Sequence, residues 1–216
     1  MRPKASGVNR RTVRTHFRLI AVAAAALGAA WGTTAFADWP FGKVARLQPG
    51  YGGVCEDCDL SGRILAGVRI TNGNFRRTDF SHAVLARADG SGSVFEGANF
   101  AEADLTRAKL VGARCAGARF PNAILNRTDA SDADFSRADF GRATLEQSRL
   151  VRANFSHAQM HGARLTGANL SGADLRRARG LTQAQMQSAC GDAHTQLPRG
   201  LTIARCEDPA VRRGHH

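Results

Sequence analysis

The chain has 216 residues, 43% of them hydrophobic but only 6% aromatic, enough for one ordinary domain and excluding a core built mainly on Tyr and Trp. Lys and Arg outnumber Asp and Glu by 30 to 18, and the formal charge of +12 points at first to nucleic acid or acidic lipid. Six of the basic residues and none of the acidic ones precede residue 38. The rest of the chain therefore holds 24 basic and 18 acidic residues, about +6, too little charge to define a nucleic-acid binder.

The first element in chain order is a secretory leader over residues 1–37. It has a basic stretch (Arg2, Lys4, Arg10, Arg11, Arg14, Arg18), then the apolar run "LIAVAAAALGAAWG", then "AFA" at 35–37, an A-x-A cleavage pattern. The run is short and Ala-rich for a membrane span, so an uncleaved anchor is the lesser alternative. No Cys follows the cleavage pattern, which gives a lipid anchor no support. The twin-arginine pair in "NRRTVR" leaves the export route open. The expected location is the bacterial periplasm or the exterior, and membrane association is not expected once the leader is removed.

Residues 38–57 are expected to form an N-terminal capping segment. Cys55 and Cys58 form a lone C-x-x-C with no second pair and no nearby His, a weak zinc pattern. An exported chain meets an oxidising compartment, where disulfides persist. Five cysteines are an odd number, so at least one thiol stays free.

From residue 58 to 177 the chain repeats a five-residue word. With Leu60 as the first centre, 24 words follow without a slip to Leu175; the centres are eleven Leu, eight Phe, Ile70, Met160, Cys115, Ala130 and Gly90. Two residues before the centre stands Ala in 16 of the 24 words. A period of five is neither helix nor flat strand. Two positions per word point inward, the large one filling the middle and the small one lying near a corner. Four words then close a square coil of 20 residues, and six coils stack into a rod about 29 Å long.

The higher period is visible in the residues themselves. One column of centres reads Leu65, Leu85, Leu105, Leu125, Leu145, Leu165, and another holds Phe80, Phe100, Phe120, Phe140. A third holds Phe75, Phe95, Phe135 and Phe155 with Cys115 in the gap, which makes Cys115 a buried packing residue and the expected free thiol. The words "ANFAEADLTRAKL" and "ANLSGADLRR" resemble the A-(D/N)-L-x-x signature of the pentapeptide-repeat family. The resemblance spans residues 58–177 and implies an all-β solenoid, a right-handed quadrilateral β-helix. Residues 178–216 are expected to form a short helical and loop cap with a tail. "LTQAQMQSAC" has helix-compatible spacing of Leu181, Met186 and Ala189, and Cys190 is expected to bridge Cys206.

Outward residues 20 apart form ladders. Arg69, Asp89, Lys109, Asp129, Arg149 and Asn169 alternate in sign, as cross-strand ion pairs do. In Arg87, Arg107 and Arg127 like charges stack instead, beside outward Ile64, Val84 and Ile124 and interrupted by Asp104. Either the segment before the repeats folds over these aliphatic residues, or the face docks a protein or an anionic envelope polymer. His157 and His161 are a weak metal pair, and no nucleophile elbow, phosphate loop or paired metal motif occurs. No cofactor and no catalytic residue is expected. The leading reading is a non-enzymatic exported structural or protein-interaction module. The alternative taken from the family, a DNA mimic that binds topoisomerases, needs an acidic flank. Residues 58–177 hold 17 basic against 12 acidic residues, which with the leader disfavours it. Direct nucleic-acid binding is likewise not expected.

Overall fold

A computed structural model describes residues 53–206. The leader, residues 38–52 and the tail after Cys206 lie outside them. The described chain is a right-handed quadrilateral β-helix in which parallel bridges join residues 20 apart, from Val54↔Asn74 to Gln159↔Arg179.

The words form a common unit through the same backbone bonds to the coils before and after. In the word centred on Phe80, Asp79 N–H donates to the Cys58 carbonyl of the coil before. Phe80 and His82 N–H donate to Asn99 and Ala101 of the coil after, and Ala83 N–H closes the corner on the Phe80 carbonyl. The fifth donor, Ser81 N–H, goes to the Asp79 side chain at 2.9 Å. This accounts for all five N–H groups without a helix.

That fifth bond explains the D/N of the signature. Each Asp or Asn just before a centre accepts from the backbone N–H two residues on: residues 59, 74, 79, 89, 99, 104, 129, 134, 139, 154, 169 and 174. The short acceptor reaches the bend that its own chain makes, an Asx turn. Asp134 also takes Asn154 Nδ2 of the next coil at 3.0 Å. Asp134→Ala is expected to lower stability by about 1 kcal/mol, and Asp134→Asn by less, because the amide oxygen still accepts. Urea unfolding of both variants checks this; equal losses would remove the turn bond from the account.

The residue two after each centre from Cys55 to Leu170 has a left-handed backbone, with φ from 52° to 62° at fifteen non-glycine positions such as Arg77, Arg87, Arg107, Arg127 and His157. Their side chains therefore leave the corner outward.

The centres form the core. Phe80, Phe100, Phe120 and Phe140 stack with centroids 4.8, 4.9 and 4.8 Å apart and planes within 4° of parallel, which also measures the coil pitch. Phe135 meets Phe120 and Phe140 edge-on at 5.9 and 5.2 Å. Gly90 interrupts its column because the Phe95 ring lies where a side chain would stand, 3.0 Å from an added Cβ. Cys115 is completely buried and unpaired, and burial pushes its thiol far above the ordinary range. Where Ser or Thr replaces the corner Ala, its hydroxyl finds a carbonyl. Thr128 Oγ1 donates to Leu105 O at 2.8 Å, Ser148 Oγ to Leu145 O at 2.6 Å, and Thr78 and Ser93 reach Cys55 O and Ile70 O.

The two ends differ from expectation. Pairing begins at Val54, and Cys55 occupies a buried centre. Residues 53–57, assigned above to the capping segment, are thus the first quarter-turn of the coil. Arg63, at an inward register position, is exposed, and Leu65 and Val68 are only half-buried, because the first coil has a neighbour on one side alone among the described residues.

At the other end the cap continues the coil after an insertion. Thr182 caps a short helix, α1 (Gln183–Ser188), through a capping box with Gln185, and Met186 is buried over the last coil. Gln185 Nε2 also donates to the Met160 and Ala163 carbonyls at 3.0 and 2.8 Å. Asn169 then bridges Cys190 and Asp174 bridges Gln196, offsets of 21 and 22 rather than 20. Two short parallel strands, β1 (Cys190–Gly191) and β2 (Ala204–Arg205), finish the stack.

Candidate functional site

The outward residues decide what the rod can bind, and part of their charge is matched locally. Glu96 lies between Arg76 and Arg114 at 3.0 and 2.6 Å. Arg77 holds Glu56 and Asp57, Arg152 holds Asp132 at 2.6 Å, Arg164 holds Glu146, and Arg176 holds Asp174 at 2.7 Å. The Arg152 and Arg176 guanidiniums hold the Asp132 and Asp174 carboxyls below the usual carboxylate range.

The sign-alternating ladder behaves differently from the sequence expectation. Its members do bridge in order, Arg69 to Asp89 to Lys109 to Asp129 to Arg149 to Asn169. Yet no ion pair joins them among the described residues. The Asp89 and Asp129 carboxylates instead turn along their own chain to Ser91 and Ser131, and Arg149 Nε donates to Ser131 Oγ at 3.0 Å. The acceptor demand of the bend outcompetes an exposed ion pair, which contributes well under about 1 kcal/mol.

The stacked arginines stand apart. The coil places Ile64, Val84, Asp104, Ile124, Thr144 and Arg164 in one bridged column. Arg87, Arg107 and Arg127 leave the same side three residues later, all exposed. Ile64 is 77% and Ile124 41% exposed, whereas Val84 is half-buried. The guanidiniums of Arg87 and Arg107 reach no acceptor among the described residues, and Arg127 Nε donates to the neutral Gln147 Oε1 at 2.7 Å. Between the aliphatic and arginine columns runs a floor of small residues, Ala66, Ala86, Thr106 and Asn126.

The remaining candidates separate. Cys190 and Cys206 are joined, their Cα atoms 4.7 Å apart, and so are Cys55 and Cys58, at 5.4 Å; the pairing of the latter was not readable from the sequence. His157 Nε2 lies 3.4 Å from an Arg177 nitrogen rather than against His161, which packs over Gly180. No cluster of three or more His, Cys, Asp or Glu side chains suited to a metal occurs among the described residues. A groove that the sequence did not single out is lined by Arg152, Ser156, His157, Gly172 and Arg177.

A solenoid of square coils with one Ala and one large centre per word defines a class of repeat protein. The family described as Pentapeptide repeats matches this chain in 8 copies over residues 54–89, 74–110, 98–137, 108–147 and 138–177. The chain belongs to that family. Pentapeptide repeat proteins are generally non-enzymatic structural or binding elements.

Solved structures of the same fold are similar at low identity. The pentapeptide repeat protein HetL, involved in heterocyst differentiation regulation in the cyanobacterium Nostoc sp. strain PCC 7120, is 22% identical over 71% of this chain and 86% of its own, with a TM-score of 0.35. Trypsin-treated QnrB1, a plasmid-mediated fluoroquinolone resistance protein, is 21% identical over 74% and 93%, with a TM-score of 0.49. A pentapeptide repeat protein from the Arabidopsis thaliana thylakoid lumen is 26% identical over 50% and 68%, with a TM-score of 0.22. No curated protein matches the chain.

Proposed function

We propose that this chain is an exported, non-enzymatic scaffold that docks a partner in the bacterial envelope through the face of Ile64, Val84, Ile124, Arg87, Arg107 and Arg127. The observation that carries the reading is the stacking of like charges in one column. Arg76, Arg77, Arg114, Arg152, Arg164 and Arg176 face carboxylates, whereas Arg87, Arg107 and Arg127 follow one another at the coil pitch with neutral or no acceptors among the described residues. Like charges held this close raise one another's free energy, and an anionic partner relieves it. Export is supported by the leader pattern of residues 1–37 and by two disulfides, which persist in an oxidising compartment. The basic excess of residues 58–177 speaks against a DNA mimic.

The triple substitution R87Q/R107Q/R127Q is expected to abolish association of the protein with the envelope fraction while leaving its melting curve unchanged. Gln keeps much of the stem and removes the charge. Retained association of a folded triple variant would end this reading of the face.

A further inference from the structure

Resting on that reading, we propose that the occupant of the face is an amphipathic α-helix of a partner protein, laid along the rod with a stripe of Glu or Asp against the arginines. The argument is one of pitch. The attachments of Arg87, Arg107 and Arg127 repeat at the coil spacing of 4.8–4.9 Å, so the three span about 9.7 Å along the rod. An extended peptide running that way presents same-side residues every 6.8 Å or so, and falls out of step at the second arginine. A helix rises about 1.5 Å per residue, so acidic residues at i, i+3 and i+7 stand at about 0, 4.5 and 10.5 Å, within about 1 Å of the arginine positions.

The remainder of the face fits the same occupant. The aliphatic column of Ile64, Val84 and Ile124 runs parallel to the arginines, as the apolar edge of an amphipathic helix runs parallel to its charged edge. Ala66, Ala86, Thr106 and Asn126 between them are short enough to let a helix approach. Two other occupants match less well. A second copy of this face would set arginine against arginine. A phosphate-bearing polymer would satisfy the arginines and leave the aliphatic column unused.

The test uses the protein purified from its native host and two synthetic peptides. One carries Glu at i, i+3, i+7 and i+10 with Leu on the adjoining edge; the other has the same composition scrambled so that no stripe forms. The striped peptide is expected to bind, to gain helical circular dichroism on binding, and to weaken as salt is raised. R87Q/R107Q/R127Q is expected to weaken it about tenfold, and I64S/I124S severalfold, with both variants melting like the parent. Replacing the peptide's Glu by Gln is expected to cost a similar tenfold without touching the protein. Equal binding of the scrambled peptide, or an unchanged affinity in the triple variant, overturns the helix. So does inorganic polyphosphate binding that depends on the arginines but not on Ile64 and Ile124, with the striped peptide failing to compete. If the triple variant loses envelope association while the parent ignores the striped peptide, the face stands and the helical occupant falls. If association is also unchanged, both fall.

Discussion

Leu105→Asp is expected to unfold several coils together, at a cost of roughly 4 kcal/mol or more. Leu105 is 2% exposed in the middle of the leucine column, with Leu85 and Leu125 one coil away on either side. A carboxylate placed there either stays ionised in apolar surroundings or takes up a proton and still lacks a partner. In a globular core such a defect is shared among many neighbours. In a solenoid each coil touches only the coils before and after it, so a broken coil separates two shorter stacks. The local backbone is affected as well, since the Leu105 carbonyl accepts the Thr128 hydroxyl. The expected readout is a large fall in melting temperature by circular dichroism, with a matched loss of helical-cap and coil signals. Arg107→Gln, two residues away and exposed, is expected to change stability by no more than about 0.5 kcal/mol. If the two variants melt alike, the register described here is wrong.

The second large effect concerns the cap. Removing the Cys190–Cys206 bridge by C190S/C206S is expected to cost about 3 kcal/mol, the loop-closure entropy for a separation of 16 residues. The bridge ties Cys190 of β1 to Cys206, just after β2, and closes the segment whose Leu201 and Ile203 pack against the core. Its loss frees the last 16 residues before Cys206, and the cap strands fray first. Cys55 and Cys58 close a separation of only 3, so C55S/C58S is expected to cost less. Reductant added to the parent protein should reproduce the larger loss. Cys115 is no confounder, because its buried thiol is held protonated. A parent protein that melts identically with and without reductant would show that the cap does not depend on the bridge.

Most of the fold was legible because its two periods, five and twenty, are written in side-chain size. The leucine and phenylalanine columns specify which residues stack before any coordinate is known, and the packing of Phe80, Phe100, Phe120 and Phe140 follows from them. The first quarter-turn was missed because its centre is Cys55 and its corner residue Gly53, neither of which looks like the repeat. The two offsets at the cap were hidden because a helix inserted between Arg179 and Cys190 breaks the count of five. The ion-pair ladder was misread for a different reason. Pattern places Asp89 beside Lys109, but it does not weigh the lysine against a backbone N–H two residues away. At the candidate site, the alignment of Arg87, Arg107 and Arg127 was readable from spacing alone. That Arg164 is neutralised by Glu146 while Arg127 meets only a glutamine depends on side-chain reach and needed the structure.

The square coil makes sequence length act as an angle. Adding 20 residues lengthens the rod by one layer and leaves every outward column where it was. Adding five turns everything downstream through a quarter of a circle, so that a word inserted between Arg87 and Arg107 would carry Arg107 and Arg127 to the next side of the rod. The core would meet the change at one junction, where centres of different columns stack on one another, while the coils on either side keep their own columns. Such an insertion disturbs the core at one layer but moves every outward column downstream of it, and the unbroken count from Leu60 to Leu175 preserves an address on the rod as much as a shape.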